Sequence, residues 1–533
     1  MEIGYFTLVL HSHLPFVRHP EHEYFLEEDW LFEAITETYI PLIEVFENLE
    51  KDKIDFRITL SLTPTLLAML DDELLQYRYV RHLDNLIELT EKELKRNQDS
   101  QELMRLSQMY KDHFIKCKYF FTEKYALNLI KAFKYFQDKG FIEIITCGAT
   151  HGFFPLIEIN KNAVHAQVKV ACDDYKRFFD RNPNGIWLPE CGFSKECDII
   201  LRKNEIKYFF LDAHGIIYGH PRPTFGNYAP IRCPSGVHAF SRDIETSKMV
   251  WSKEHGYPGD VYYREFFRDI GFELDYDYLK PFVNPDGSRK HTGIKYYRIT
   301  DRHTNEKMLY DLDIAGQRID AHSSHFLSCR LSQARKLKDE IHKNPLIVST
   351  YDAELFGHWW FEGPKWIDSL IRKIAYKQYP IKMITPSEYL LKYPYNQEVT
   401  PCKSSWGDKG YNEFWLNNNN DWIYKHLHIA GDRMFELAQN NGNPSILVKR
   451  ALNQAARELL LAQSSDWAFI MTTKTMTNYA IKRFKSHIAR FTVLYNEIKN
   501  STVNEERLSE LESLDNIFPN IDYSIYSKNI NYL

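Results

Sequence analysis

Thr350-Tyr-Asp-Ala-Glu-Leu-Phe-Gly-His-Trp-Trp-Phe-Glu-Gly363 follows directly on the apolar run Pro345 to Ser349, and its reading decides the fold. A strand that delivers acids, a histidine and two tryptophans within a few residues is the pattern of a parallel α/β barrel, which keeps its reactive groups at the C-terminal ends of its strands. Asp352 stands where such a strand would end. Trp359 and Trp360 offer flat faces of the kind that stack on pyranose rings.

Sugar chemistry needs a second acid, because glycoside cleavage takes one carboxyl to protonate the leaving oxygen and another to attack the anomeric carbon or activate water. Gly185-Ile-Trp-Leu-Pro-Glu-Cys-Gly-Phe193 supplies it, since a short apolar strand ends in Glu190 between Pro189 and Gly192, which stop the strand and turn the chain. A single rim acid is more often an ion-paired structural group than a catalyst, so the pair gains weight from its company. Ile3 to Leu10 runs into His11-Ser-His13-Leu-Pro15, and Ile142 to Cys147 into Gly148-Ala-Thr-His151-Gly. Tyr208 to Leu211 runs into Asp212-Ala-His214, and Val237 to Phe240 into Ser241-Arg-Asp243. Strand, then histidine or acid, then a turn: the repetition brings polar groups to one rim.

A chain of 533 residues exceeds what one hydrophobic core usually serves, so two or three structural units are expected. With 67 basic against 72 acidic residues and a net charge of −5, no basic stripe for nucleic acid is in prospect. The first apolar run stops at His11, too short for the core of a signal peptide, and no run approaches the roughly 20 apolar residues of a membrane span. A cytoplasmic protein without membrane or nucleic-acid partners is the expectation. Eight cysteines without a C-x-x-C pair read as reduced thiols.

Barrel strands are predicted at 3–10, 57–62, 142–147, 185–188, 207–211, 237–240 and 345–350, with Ile381 to Ile384 an eighth or an ancillary strand. These fall into a first barrel part at 1–64 and a second at 140–400. Between them, residues 65–139 carry Leu83, Leu86, Ile87, Leu89 and Leu94 among charges, a helical insertion on the barrel flank. A second insertion, about 256–318, is rich in Tyr, Asp and Gly and reads as loop and short helix over the active-site mouth. Residues 401–533 open with a polar loop holding Asn417 to Asn420 and continue with amphipathic patterns at 424–440, 444–463 and 475–498, a helical C-terminal domain. The stretch beyond Val503 reads as a solvated tail.

Four of these segments, in this order, resemble the signature regions of glycoside hydrolase family 57: His11-Ser-His13-Leu-Pro15, Ala149-Thr-His151-Gly152, Trp187-Leu-Pro-Glu190-Cys-Gly192 and Tyr351 to Trp360. Within that family the likeness is greatest to the 1,4-α-glucan branching enzymes, and it extends through Ser404-Ser-Trp406-Gly407, Trp415 and Gln463-Ser-Ser-Asp466-Trp467, covering nearly the whole chain. The resemblance implies an incomplete (β/α)7 barrel, hence seven barrel strands, with a helical insertion and a helical C-terminal domain. It implies Glu190 as nucleophile and Asp352 as acid/base in a retaining double displacement, a choice that spacing alone would not make. The substrate would be an α-glucan such as amylose, amylopectin or glycogen, both donor and acceptor of a chain transferred to a 6-hydroxyl, and the enzyme a monomer by default.

His-x-His at a strand end can equally hold a zinc ion or donate to sugar hydroxyls, and on the residues alone the two roles stand level. The resemblance implies sugar-contacting His11, His13 and His151 and neither metal nor other cofactor. Most of the 34 Tyr, 34 Phe and 10 Trp must be core. The resemblance places Trp30, Trp406 and Trp415 along the glucan cleft, and Asp212, His214, Trp359, Trp360 and Asp466 join them as candidate substrate contacts. Phe272 stands where branching enzymes commonly have tryptophan, so stacking there should be weaker and the ratio of transfer to hydrolysis open. An α-amylase or 4-α-glucanotransferase would share both carboxylates. A metal-dependent polysaccharide deacetylase would instead use His11, His13 and Asp212 and be stopped by chelators.

Overall fold

A computed structural model describes residues 2–252, 255–284, 286–301, 304–376 and 379–527. Its strands are β1 (Gly4–Ser12), β2 (Ile58–Leu62), β3 (Ile142–Ile145), β4 (Gly185–Ile186), β5 (Tyr208–Leu211), β6 (Ile231–Arg232), β7 (His238–Ser241), β8 (Leu346–Asp352) and β9 (Ile381–Met383). Seven run parallel around a barrel. One sheet is ordered β3-β2-β1-β8 and the other contains β4-β5-β7. They join where Trp187 N–H donates to the Thr146 carbonyl at 2.8 Å, and again where Asp243 N–H donates to the Val348 carbonyl at 2.8 Å. Every residue of β1 is buried, as expected of a strand covered on both faces, which is why these strands read as near-continuous apolar runs rather than alternating ones.

The strand at Ile381 is ancillary. β1 pairs β2 only from Val9 to Ser12, while its first residues, Gly4 to Phe6, pair β9. β9 therefore fills the lower end of the barrel beneath β2. The antiparallel pairing of β6 with β7 has no counterpart in the sequence reading, a two-residue strand being too short to leave a periodic signal.

Four helices, Pro64–Leu70, Glu73–Arg96, Gln101–Tyr119 and Leu129–Asp138, follow β2. Leu83, Leu86 and Leu89 face inward, and Thr63, Asp72, Ser100 and Asn128 cap the N-termini by accepting backbone N–H bonds. Among its described residues the 256–318 segment has only short helical turns until it enters the long helix Leu312–Ile341, yet it is fastened at Asp269. That carboxylate is fully buried and accepts from the N–H groups of Gly271, Thr292 and Gly293, the Thr292 hydroxyl, and Lys295 Nζ at 2.7 Å. These bonds outweigh burial and hold its pKa far below the usual carboxylate range.

Past residue 400 the helices are Trp422–Asn440, Ile446–Ala462, Ser465–Thr473, Thr477–Lys499 and Glu505–Leu514. Residues 504–527 are not a solvated tail. Leu508, Ile517, Phe518 and Tyr526 are buried, and Asp515 is drawn in by Arg490 and by a buried His487 that itself bonds Glu458 at 2.7 Å. Its polar composition hid these apolar anchors, because their spacing follows no single helical period. Among the described residues no helix is long and apolar enough to cross a membrane.

Candidate active site

Glu190 follows β4 in a tight turn, Pro189–Cys191, and holds the left-handed conformation at φ 59°. A non-glycine residue in that region costs energy that the surroundings must supply, a feature concentrated at functional sites. Here the surroundings are residues from past position 400. Trp406 Nε1 donates to Glu190 Oε2 at 2.7 Å and the Ser465 hydroxyl donates to Oε1 at 2.9 Å. Trp406 N–H also donates to the Glu190 carbonyl at 3.0 Å. Burial raises the Glu190 pKa, and Asp466 adds to the rise, while the Trp406 and Ser465 bonds and His13 oppose it; the net direction is up.

Asp352, the last residue of β8, has no side-chain hydrogen bond among the described residues and does not cap the turn that follows it. Its pKa is raised to about 8, by burial first and then by the charges of Glu354 and Glu190; His13 and Arg242 offset only part of this. Both causes favour the protonated acid, and a carboxylate lies within electrostatic reach. Glu354, two residues on, is pushed to about 7 by burial. It accepts from His13 N–H at 3.2 Å and from the Tyr39 hydroxyl.

Tyr39 and Glu37 reach this loop from a π-helical turn, Ile35–Tyr39, of the kind often found at functional sites. Glu37 accepts from His358 Nδ1 at 2.8 Å. Gly357 lets the two segments touch, since a Cβ there would stand 1.8 Å from the Glu37 carbonyl oxygen and its φ is +116°.

The histidines and aromatics require corrections. His11 Nδ1 bonds Ser61 at 3.0 Å and His11 Nε2 bonds His151 Nε2 at 3.0 Å, while His151 Nδ1 bonds Ser465 at 2.8 Å. Every ring nitrogen of this buried pair is engaged by protein, so neither histidine has a donor left for a sugar hydroxyl. His13 is also engaged, with Thr63 at 3.3 Å and Asp466 at 3.0 Å. Burial lowers its pKa, but the Asp466 charge and bond reverse this and the net direction is up. Trp360, 1% exposed, packs among Tyr263, Phe356 and Trp366. Trp415, also 1% exposed, stacks on Phe153 at 4.4 Å. Both indoles are core, not sugar platforms, because adjacent residues take the apolar contacts that would otherwise face a ligand.

Trp406 and Trp30 are half-buried. Trp359 is 53% exposed and stacked on Phe266 at 4.2 Å, and Phe272 is 47% exposed with its edge toward His291. Asp212 is held below the usual carboxylate range despite burial by His214 and Arg242, and His214 also bonds the Gly410 carbonyl at 2.8 Å. His13, His151 and Asp466 have ligand atoms within 4.8 Å of one another, a spacing that would admit a cation. Ser61, Ser465, Glu354, Tyr39 and Glu37 escaped the sequence reading. Glu354 and Ser465 lie beside residues that it singled out, but Ser61, Tyr39 and Glu37 sit in ordinary strand and helix patterns with nothing to mark them.

A parallel barrel with two differently tuned carboxyls at its mouth defines an enzyme suited to acetal chemistry. The chain belongs to glycosyl hydrolase family 57, whose model matches residues 7–401; a second family model, 1,4-alpha-glucan branching enzyme, C-terminal, matches residues 426–526. It is 31% identical over 548 residues to a 1,4-alpha-glucan branching enzyme of Thermococcus kodakarensis, spanning 97% of this chain and 77% of that protein. The branching-enzyme structure from Pyrococcus horikoshii aligns with a TM-score of 0.88 at 32% identity, covering 99% of this chain and 97% of the other. The structure of the alpha-amylase AmyC from Thermotoga maritima aligns with a TM-score of 0.93 at 44% identity, covering all of both chains.

Proposed function

We propose that the protein is a cytoplasmic 1,4-α-glucan branching enzyme of glycogen biosynthesis, cleaving an α-1,4 linkage and passing the chain to a 6-hydroxyl to form an α-1,6 branch. Asp352, protonated, donates to the glycosidic oxygen while Glu190 attacks the anomeric carbon; Asp352, now a carboxylate, then takes the proton of the acceptor hydroxyl as the glycosyl-enzyme is released. The observation that carries this reading is the different setting of the two acids: burial and neighbouring charge favour the protonated form of Asp352, while two donors hold Glu190 through both oxygens. Transfer over hydrolysis is supported by the match to the branching-enzyme C-terminal family and by relatives of that name. Half-buried Trp30 and Trp406 and exposed Trp359 and Phe272 are rings open to seat a glucan. All eight cysteines are free, which agrees with a reducing compartment.

Hydrolysis is the second reading, favoured by the 44% identity to an alpha-amylase over the full length of both chains. Incubation with amylose separates the two. A branching enzyme shifts iodine staining with few new reducing ends and leaves product from which isoamylase releases short chains. Reducing ends rising in step with lost staining, and nothing for isoamylase to cut, would overturn the proposal in favour of an amylase.

A further inference from the structure

Four buried side chains, from three different strand ends and the C-terminal helices, form one line that ends on Glu190. Ser61 on β2 bonds His11 Nδ1 at 3.0 Å, across the ladder position where the two residues are paired. His11 Nε2 meets His151 Nε2 at 3.0 Å, His151 Nδ1 meets the Ser465 hydroxyl at 2.8 Å, and that hydroxyl reaches Glu190 Oε1 at 2.9 Å. Relative exposures are 0% for Ser61, 1% for His11, 2% for His151 and 3% for Ser465, so water does not substitute for any member.

The direction of the line follows from counting protons. An ionised Glu190 only accepts, so Ser465 donates to it. The Ser465 oxygen then accepts from His151, which must carry its proton on Nδ1. Burial holds both imidazoles well below their ordinary pKa, hence neutral, and a neutral His151 with Nδ1–H has a bare Nε2. His11 must fill it with Nε2–H, and its own bare Nδ1 takes the Ser61 proton. Each link therefore donates toward the carboxylate, and one protonation pattern alone satisfies them all. Backbone bonds hold the Ser465 joint in place, since Ser465 N–H donates to the His151 carbonyl at 3.0 Å.

We propose that Ser61, His11, His151 and Ser465 form a one-directional hydrogen-bond relay that positions Glu190 and stabilises its ionised form, with Ser465, contributed by the C-terminal region, as the positioning residue in direct contact. This rests on the reading of Glu190 as nucleophile. The charges facing Glu190 are Asp466 and Asp352, which disfavour its ionisation, and His13, which favours it; Arg242 lies across the mouth beside Asp352. The relay supplies dipoles where those charges do not balance.

Two measurements test it. In the Ser465→Ala enzyme acting on amylose, the acidic limb of the kcat/KM profile should move up by about one pH unit, because a hydrogen bond to the charged form is lost. The alkaline limb should stay, and Ser465→Thr should restore the original profile. A purely structural serine would lower stability and leave the acidic limb unmoved, which would overturn the relay. Neutron diffraction from the deuterated native enzyme above its acidic limb reads the pattern directly and needs neither a variant nor activity. Deuterons on His151 Nδ1 and His11 Nε2 support the proposal; a deuteron on His151 Nε2 overturns it. Should Glu190→Gln remain active, the nucleophile assignment falls, and the deuteron positions still decide whether the relay exists.

Discussion

The loop after β4 and the loop after β8 each present one carboxyl to the same mouth and treat it in opposite ways. Glu190 is gripped through both oxygens by Trp406 and Ser465 and strained at φ 59°. Asp352 sits in ordinary extended backbone with no side-chain bond to any described residue, its pKa raised to about 8. A nucleophile benefits from donors that keep it charged and aimed, whereas an acid that must give up its proton benefits from a site that disfavours charge. The difference lies in what packs against each loop. Segments from past residue 400 close over the first, and the second is shared with the acidic Glu354, which accepts from the His13 N–H and the Tyr39 hydroxyl.

The comparison breaks most visibly by removing the acids. Glu190→Gln and Asp352→Asn should each lower turnover by roughly three orders of magnitude or more while the protein stays folded, and azide should partly rescue the corresponding alanine variants. Near-normal turnover in either variant, measured by branch formation on amylose, would sink the pairing.

Next in size are two tryptophans that the sequence treated alike. Trp415→Ala should cost about 3–5 kcal/mol of stability, read as lowered thermal unfolding, with little change in kcat/KM of the folded protein. Trp406→Phe should leave stability nearly unchanged and lower kcat about tenfold or more, because a donor to a charged oxygen is lost. Equal losses of activity in both would return Trp415 to the cleft.

The smallest expected effect sharpens the Asp352 side. Asp352 acts protonated, so activity should be lost as pH rises through about 8, and Glu190 acts ionised, so it should be lost as pH falls through a value above the ordinary glutamate range. Glu354→Gln removes a neighbouring negative charge, which makes Asp352 easier to ionise and moves the alkaline limb down. An alkaline limb that stays put or rises in that variant would show that Glu354 does not act on Asp352.

The sequence by itself located the strand runs, the acids that end two of them and the helical character of 424–440, 444–463 and 475–498, because each is a local pattern: an apolar run stopped by a turn, or an apolar repeat of helical period. Only the tertiary structure decided which rings are buried and which donors are already engaged. Trp360 and Trp415 became core, His11 and His151 turned their nitrogens on each other and on serines, and Ser465 came to Glu190 across 275 positions. Burial and hydrogen-bond saturation are properties of neighbours in space, and no window along the chain contains them.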